Sequence, residues 1–321
     1  MATNIFPLLH LPILALNNVL ALFTQEELIE TSLTSRRARH FIRGFSRFPP
    51  YPKPTIRLYI TAEPYIHLCN KPSLTYKFTR DALKDGQKKV YGNINTTIYK
   101  YTENLLEGIL NWLKYVTEVL SCTIDLVDMT MDEIPGETRK LADWLKNQQE
   151  SYDCVEIYCD TEADDDLKYA IETIKAKKEL LLGVETGPGF QVELPENLRN
   201  LEIASSFIGL EQLLRIKCKK IALSEPPLTN QEINMFIRSW MAQESHLNLC
   251  NMRIKIAEPH SWPVILGYNE FLNFDLQQNE FTMTFRIVRI DGQMATIVIE
   301  GNVPDIMFKF HLYPYLDEYY D

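Results

Sequence analysis

Residues able to do chemistry are present in this chain, but their spacing points to recognition rather than catalysis. Glu162, Asp164, Asp165 and Asp166 bring four carboxylates together. They resemble a calcium-binding loop only in charge. The alternative is the first turn of a helix, where aligned peptide dipoles favour anions. Cys154 and Cys159 form a C-x4-C pair, with no second cysteine pair or histidine cluster at zinc spacing. Alternation in CVEIYC puts Val155, Ile157 and Cys159 on one face, so these thiols read as strand residues. His10, His40, His67, His246, His260 and His311 are scattered and read as surface or satisfied core residues. Gly187-Pro188-Gly189 lacks the lysine and helix start of a phosphate loop and reads as a turn. No nucleophile elbow, Walker, dinucleotide or metalloprotease signature occurs. The acidic groups Asp164, Asp165 and Asp166, with Asp317, Glu318 and Asp321 in the tail, are candidate contacts for a binding partner, with solvated charge as the alternative. The tail YPYLDEYYD reads as a frayed terminus or an arm that meets a partner.

Composition narrows the partner. The 321 residues carry a net charge of −10. Residues 1–47 hold five Arg and three Glu, so the remainder carries −12. A body that acidic is a poor binder of nucleic acid, which needs clustered Lys and Arg. Six cysteines are too few for a disulfide scaffold, and reduced thiols in the cytosol or nucleus are expected. Residues 5–23 are apolar, but no Lys or Arg precedes them and Asn17-Asn18 interrupts the run. No small-residue cleavage site follows, so neither secretion nor membrane insertion is expected.

The elements that must position a binding surface begin at the N-terminus. Pro12 suits a first helical turn. Leu16, Val19, Leu20 and Phe23 follow at helical spacing. Thr24 with Glu27 predicts a capping box opening a second helix, which carries Leu28, Ile29 and Leu33. A basic third helix is predicted over Ser35–Ile42, with Phe41 and Ile42 inward. Three short helices cannot bury this much apolar surface alone, so a partner or the chain's own body must cover the excess.

Four prolines in residues 48–54 read as a stiff linker. The expected organisation is a helical domain over 1–47, the linker over 48–54 and an α/β domain over 55–321. Strands are expected at TIRLYI, SLTYKF, KKVYG and INTTIYKY, then a long helix over 102–120. Strands and helices then alternate from 122 to 258, which suggests a parallel solenoid resembling leucine-rich repeats, with an open doubly wound sheet as the alternative. Thr229 and Glu232 predict a second capping box, and Trp240 lies in the apolar stripe of that helix as core or as a binding platform. Asp291-Gly292 predicts a type I′ hairpin between 280–290 and 293–301, with IMFKFHLY adding a third antiparallel strand.

The segment LPILALNNVLALFTQEELIETSLTSRRARHFIR, residues 11–43, resembles an F-box. The match rests on Leu11-Pro12, the Leu16/Val19/Leu20 spacing, the Leu28/Ile29/Leu33 helix and Ser35-Arg36-Arg37. Phe6-Pro7-Leu8-Leu9 is similar to the opening of nematode F-box families. Ala38 stands where many F-boxes carry tryptophan. FIRSWMAQ (236–243), NMRIKI and IVRIDGQMATIVI (287–299) resemble the type 2 F-box-associated region. With this resemblance the expected fold is an α/β chain in which a three-helix F-box precedes the body, itself expected from its strand–helix period as a leucine-rich-repeat-like solenoid with a terminal antiparallel hairpin sheet. The resemblance implies a non-enzymatic substrate receptor of a Skp–cullin–F-box ubiquitin ligase, with no cofactor, no metal, and no nucleic-acid or membrane partner. A Skp-type adaptor would grip Leu11, Pro12, Ile13, Leu16, Val19 and Leu20, with Leu28, Ile29 and Leu33 in support. The alternatives are a non-ligase α/β scaffold for protein interaction, or an α/β enzyme whose site carries no known signature.

Overall fold

The computed structural model describes residues 8–47, 51–92, 95–256, 261–267, 277–279, 282–300 and 306–313. The chain forms two compact units, Met1–Met129 and Thr130–Asp321.

The first unit opens with α1 (Ile13–Leu20), α2 (Gln25–Leu33) and α3 (Arg36–Ser46). Pro12 caps α1 rather than starting it. The third helix runs four residues beyond its predicted end, because Phe45 finds a buried place on the same face as Ile42. Strands β1 (Thr55–Ile60), β2 (Tyr65–Leu68), β3 (Ser73–Thr79), β4 (Lys88–Tyr91) and β5 (Asn95–Tyr101) follow, then α4 (Leu105–Leu120) and β6 (Thr123–Thr130). Their order in the sheet is β6-β1-β2-β3-β5-β4. Strands β1 and β6 run parallel, as do β3 and β5. Alternation decides which face is dry: Ile56, Leu58, Ile66, Leu68, Leu74 and Phe78 are buried, while their neighbours are half-exposed. Helix α4 presents Leu106, Ile109, Leu110, Leu113 and Val116 to the interior. Each such side chain contributes about 1.5–3 kcal/mol on burial. Gly108 lets α4 start close to Thr102, since an added Cβ would lie 2.5 Å from the Thr102 hydroxyl. The proline segment is packed from Tyr51 onward: the Tyr51 ring lies 5.3 Å from Phe45, and the Pro52 carbonyl accepts from the Asn70 amide.

The second unit holds α5 (Thr138–Gln148), β7 (Tyr152–Cys159), α6 (Asp164–Thr173), β8 (Ala176–Val184) and β9 (Asn200–Ala204). Helix α7 (Leu210–Arg215), β10 (Lys220–Leu223), α8 (Asn230–Met241), β11 (Asn251–Ile256) and α9 (Trp262–Leu266) continue it. Four strands close it: β12 (Gln277–Asn279), β13 (Thr282–Val288), β14 (Met294–Glu300) and β15 (Ile306–Tyr313). Strands β7 to β11 lie side by side in chain order and run parallel. The order does not reverse across this run, as a doubly wound sheet would require. Strand β15 pairs antiparallel with β11 and also with β14, so the hairpin sheet covers the β11 edge.

The hairpin departs from the predicted two-residue turn. Arg289 N–H donates to the Gln293 carbonyl, and Gly292 N–H to the Arg289 carbonyl, leaving a three-residue loop with Gly292 at φ +88°. Asp291 is not at positive φ, which a type I′ turn demands of both central residues. The Asp291 carboxylate instead bonds Arg289, the Gln293 N–H and the Gln243 amide. Trp240 is core: it is fully buried, with Phe310 edge-on at 5.0 Å and the Arg289 guanidinium 5.1 Å from its ring centre.

Candidate docking surfaces

The N-terminal helices are built by local rules. Thr24 N–H donates to the Glu27 carboxylate at 2.7 Å, and Glu27 N–H to the Thr24 hydroxyl at 3.2 Å, completing the predicted capping box. Ser35 caps α3 by accepting from Ala38 N–H. Leu16, Leu20, Leu28, Ile29, Ala38 and Ile42 form a small closed core, each at most 1% exposed. Ala38 is fully buried in that core.

This burial sorts the nine predicted adaptor-contact residues. Leu16, Leu20, Leu28 and Ile29 hold the helices together and have no free surface. Leu11 and Val19 are half-buried, and Pro12 is exposed. Ile13 is 57% and Leu33 48% exposed. Two residues outside the predicted set are more exposed still: Leu14 at 77% and Leu22 at 83%. Helical periodicity ranks a residue by its face, and Leu14 and Leu22 fall off the inward stripe.

A second side of the same helices meets α4. The Ser32 and Tyr115 hydroxyls are 2.7 Å apart, Arg39 lies 4.7 Å over the Tyr115 ring, and Arg43 reaches Glu118 at 4.0 Å. Glu26 of α2 also pairs with Lys88 of β4 at 2.7 Å. Part of the excess apolar surface is thus covered within the unit, and Ile13, Leu14 and Leu22 are left exposed.

In the second unit a groove of about 1110 Å³ lies between the 186–196 loop and the 206–218 segment. Phe190 and Phe207 meet edge-to-face at 5.1 Å on its wall, with Leu194, Arg215 and Ile216 around them. The Gln212 amide donates to the Val192 carbonyl and holds the loop to α7. Burial pushes the Cys218 thiol on its lining up to about 11, so that thiol is protonated and a poor nucleophile at neutral pH.

The predicted acidic contacts lie at the start of α6, beside this groove. Asp164 accepts from the N–H of Gly187, a groove residue, at 3.1 Å. Asp166 is bound to Arg139 at 2.6 Å, and Asp165 is exposed. The adjoining turn is organised by Asp132, which accepts from Asp160 N–H at 2.7 Å and from the Thr161 hydroxyl. The Thr161 hydroxyl and the Asp160 N–H hold the Asp132 carboxyl below its usual range. Asp132 was not legible as a site residue, since its partners lie a strand away. Asp317, Glu318 and Asp321 lie outside the described residues, as does His260.

The remaining candidates are structural, apart from His10 and His40, which are exposed. Cys159 is buried on the inner face of β7 with Val155 and Ile157. His67 meets the Thr75 hydroxyl at 2.9 Å and His311 the Asn251 amide at 2.9 Å. His246 is buried against Phe236, and burial lowers it to about 4. Among the described residues no group of three His, Cys, Asp or Glu side chains is placed to hold a metal, and no helix is long and apolar enough to cross a membrane.

Comparison with known proteins finds two family matches. Residues 8–49 match the F-box domain, and residues 189–254 match a family described as F-box associated. The second match begins in the groove loop and ends in β11. The chain is 23% identical over 319 residues to the F-box associated domain-containing protein sdz-33 of Caenorhabditis elegans, covering 93% of this chain and 95% of that protein. No solved structure matches.

Proposed function

We propose that this nematode-type F-box protein, with its F-box-associated region, is the substrate-recognition subunit of a Skp–cullin–F-box ubiquitin ligase. The observation that carries the reading is the F-box match at residues 8–49 together with the open leucine and isoleucine surface on those helices. Ile13, Leu14, Leu22 and Leu33, beside Pro12, are the assigned adaptor contacts; Leu16, Leu20, Leu28 and Ile29 keep them in register. Such a receptor catalyses nothing itself. It raises the effective concentration of a target lysine near a charged conjugating enzyme.

Target contact is assigned to the second unit. Its chain-ordered parallel strands support a leucine-rich-repeat-like reading, and such arrays bind through loops and concave faces. The Phe190/Phe207 groove supplies an apolar seat whose charged lining is balanced, Arg215 pairing with Glu211 and Lys217 with Glu196, while the exposed Asp165 beside it favours a basic residue on the target. Cytosol or nucleus is the assigned setting. Affinity capture of the full-length chain, with ligase turnover blocked, tests the assignment: a Skp-type adaptor and a cullin should be recovered in stoichiometric amounts. Recovery of other proteins with no adaptor would favour a non-ligase scaffold.

A further inference from the structure

The two units differ sharply in charge. Residues 1–129 hold fifteen Lys and Arg against eleven Asp and Glu, a net +4, whereas residues 130–321 carry −14. The excess in the first unit is local: residues 71–101 contain seven basic and two acidic side chains. This stretch forms β3, β4, β5 and the turn between β3 and β4.

Within it, β4 is the last strand in the sheet order among the described residues, and all four of its residues are exposed. Tyr99 N–H donates to the Gln87 carbonyl, so the hydrogen-bonded rungs of the β4–β5 pair fall at Gln87/Tyr99, Lys89/Thr97 and Tyr91/Asn95. The N–H and C=O groups of Lys88 and Val90 therefore turn outward, as the template for one more strand. Exposed apolar side chains flank this edge: Leu83, Val90 and Tyr91 are each more than half exposed.

The charges sit on the same edge. Lys89 lies 5.2 Å from the Tyr99 ring centre, on the face that also carries Lys77. Two carboxylates serve three ammonium groups here: Glu63 is shared by all three, and Asp81 lies 3.9 Å from Lys84. Lys77 bonds Glu63 and holds it below the usual carboxylate range, and Lys84 and Lys89 add to the pull. Positive charge is thus left over beside an edge that no strand pairs among the described residues.

We propose that the β4 edge docks an extended acidic peptide as an added strand, with carboxylates at alternate positions beside Lys84 and Lys89 and apolar side chains beside Val90. Backbone pairing would supply affinity, and the alternating side chains specificity. Lysines on a short edge strand also discourage pairing with another copy of the chain. Here the same lysines select an acidic partner. The site depends on no step of the adaptor reading and lies on the first unit.

The test is fluorescence anisotropy with a labelled decapeptide of alternating glutamate and valine, titrated with the full-length chain. Saturable binding should weaken between about 50 and 300 mM salt, as screening shortens. Lys84→Glu with Lys89→Glu should weaken it about tenfold or more. Val90→Pro removes one outward N–H while leaving the β4–β5 rungs intact, a change an edge strand tolerates. It should weaken binding about fivefold, with the circular dichroism spectrum unchanged. Four results would overturn the proposal: no saturable binding, equal binding of a lysine–valine decapeptide, undiminished binding by Val90→Pro, or tighter binding of a single-stranded RNA dodecamer than of the acidic peptide.

Discussion

The hydroxyls of Ser32 and Tyr115 lie 2.7 Å apart and join α2 of the F-box to α4 of the sheet behind it. Ser32 also donates to the Ile29 carbonyl, so Tyr115 is left to donate to Ser32. The bond is part-buried and links residues 83 positions apart. Tyr115→Phe should therefore cost about 1 kcal/mol in urea unfolding, the usual net worth of one hydrogen bond. A chain beginning at Pro54 should still fold but unfold at lower denaturant, because α4 loses its cover from Ser32, Arg39 and Arg43. A midpoint equal to that of the full chain would show that these contacts add nothing.

Gly108 gives a prediction in which two effects oppose each other. Alanine in a helix interior is favoured over glycine by about 1 kcal/mol. The new Cβ, however, would lie 2.5–2.7 Å from three atoms of Thr102. Overpacking of that kind costs about 1–3 kcal/mol. Gly108→Ala should thus destabilise the chain, and adding Thr102→Ala, which removes two of the three crowded atoms, should recover part of the loss. Thermal unfolding of the single and double variants reads this directly. A stabilised single variant would mean that the Thr102 loop yields freely.

His246 sets an acid dependence. Its ordinary value is near 6.5, and burial lowers it to about 4. As pH falls through 6.5 the unfolded chain takes up a proton that the folded chain refuses until near pH 4. The stability present above pH 6.5 is therefore lost between about 6.5 and 4, by up to roughly 3 kcal/mol. The residue sits at φ 54°, so His246→Asn is the suitable non-titrating variant. Urea midpoints followed from pH 7 to 4.5 should fall more steeply for the parent chain than for the variant. Parallel slopes would contradict the assignment.

What the sequence made legible was local. Thr24/Glu27 and Thr229/Glu232 close as capping boxes because both partners lie within three residues. The parallel strands from β7 to β11 were readable from apolar runs between helical patterns. Elements too short for periodicity were missed: the four residues of β2, the six of α7 and the five of α9. Asp291-Gly292 was a correct turn signal with the wrong loop length, because the Asp291 carboxylate is engaged by Arg289 and Gln243. The sorting of Leu16 from Leu14 needed the third helix in place, since one apolar stripe alone does not say which residues α3 covers. The basic edge at Lys84 and Lys89 was hidden by the acidity of the whole chain, and only the division into two units exposes it.

The open apolar surface of the F-box helices is proposed as the adaptor grip. Ile13 and Leu14 are exposed, so Ile13→Asp with Leu14→Asp should leave the fold intact while placing charge in the interface. Calorimetric titration of a purified Skp-type adaptor into the full-length chain should show tight binding to the parent. The double variant should lose about 2 kcal/mol or more, roughly thirtyfold in affinity, with an unchanged circular dichroism spectrum. Equal affinity for parent and variant, or no adaptor binding by the parent, would contradict the account.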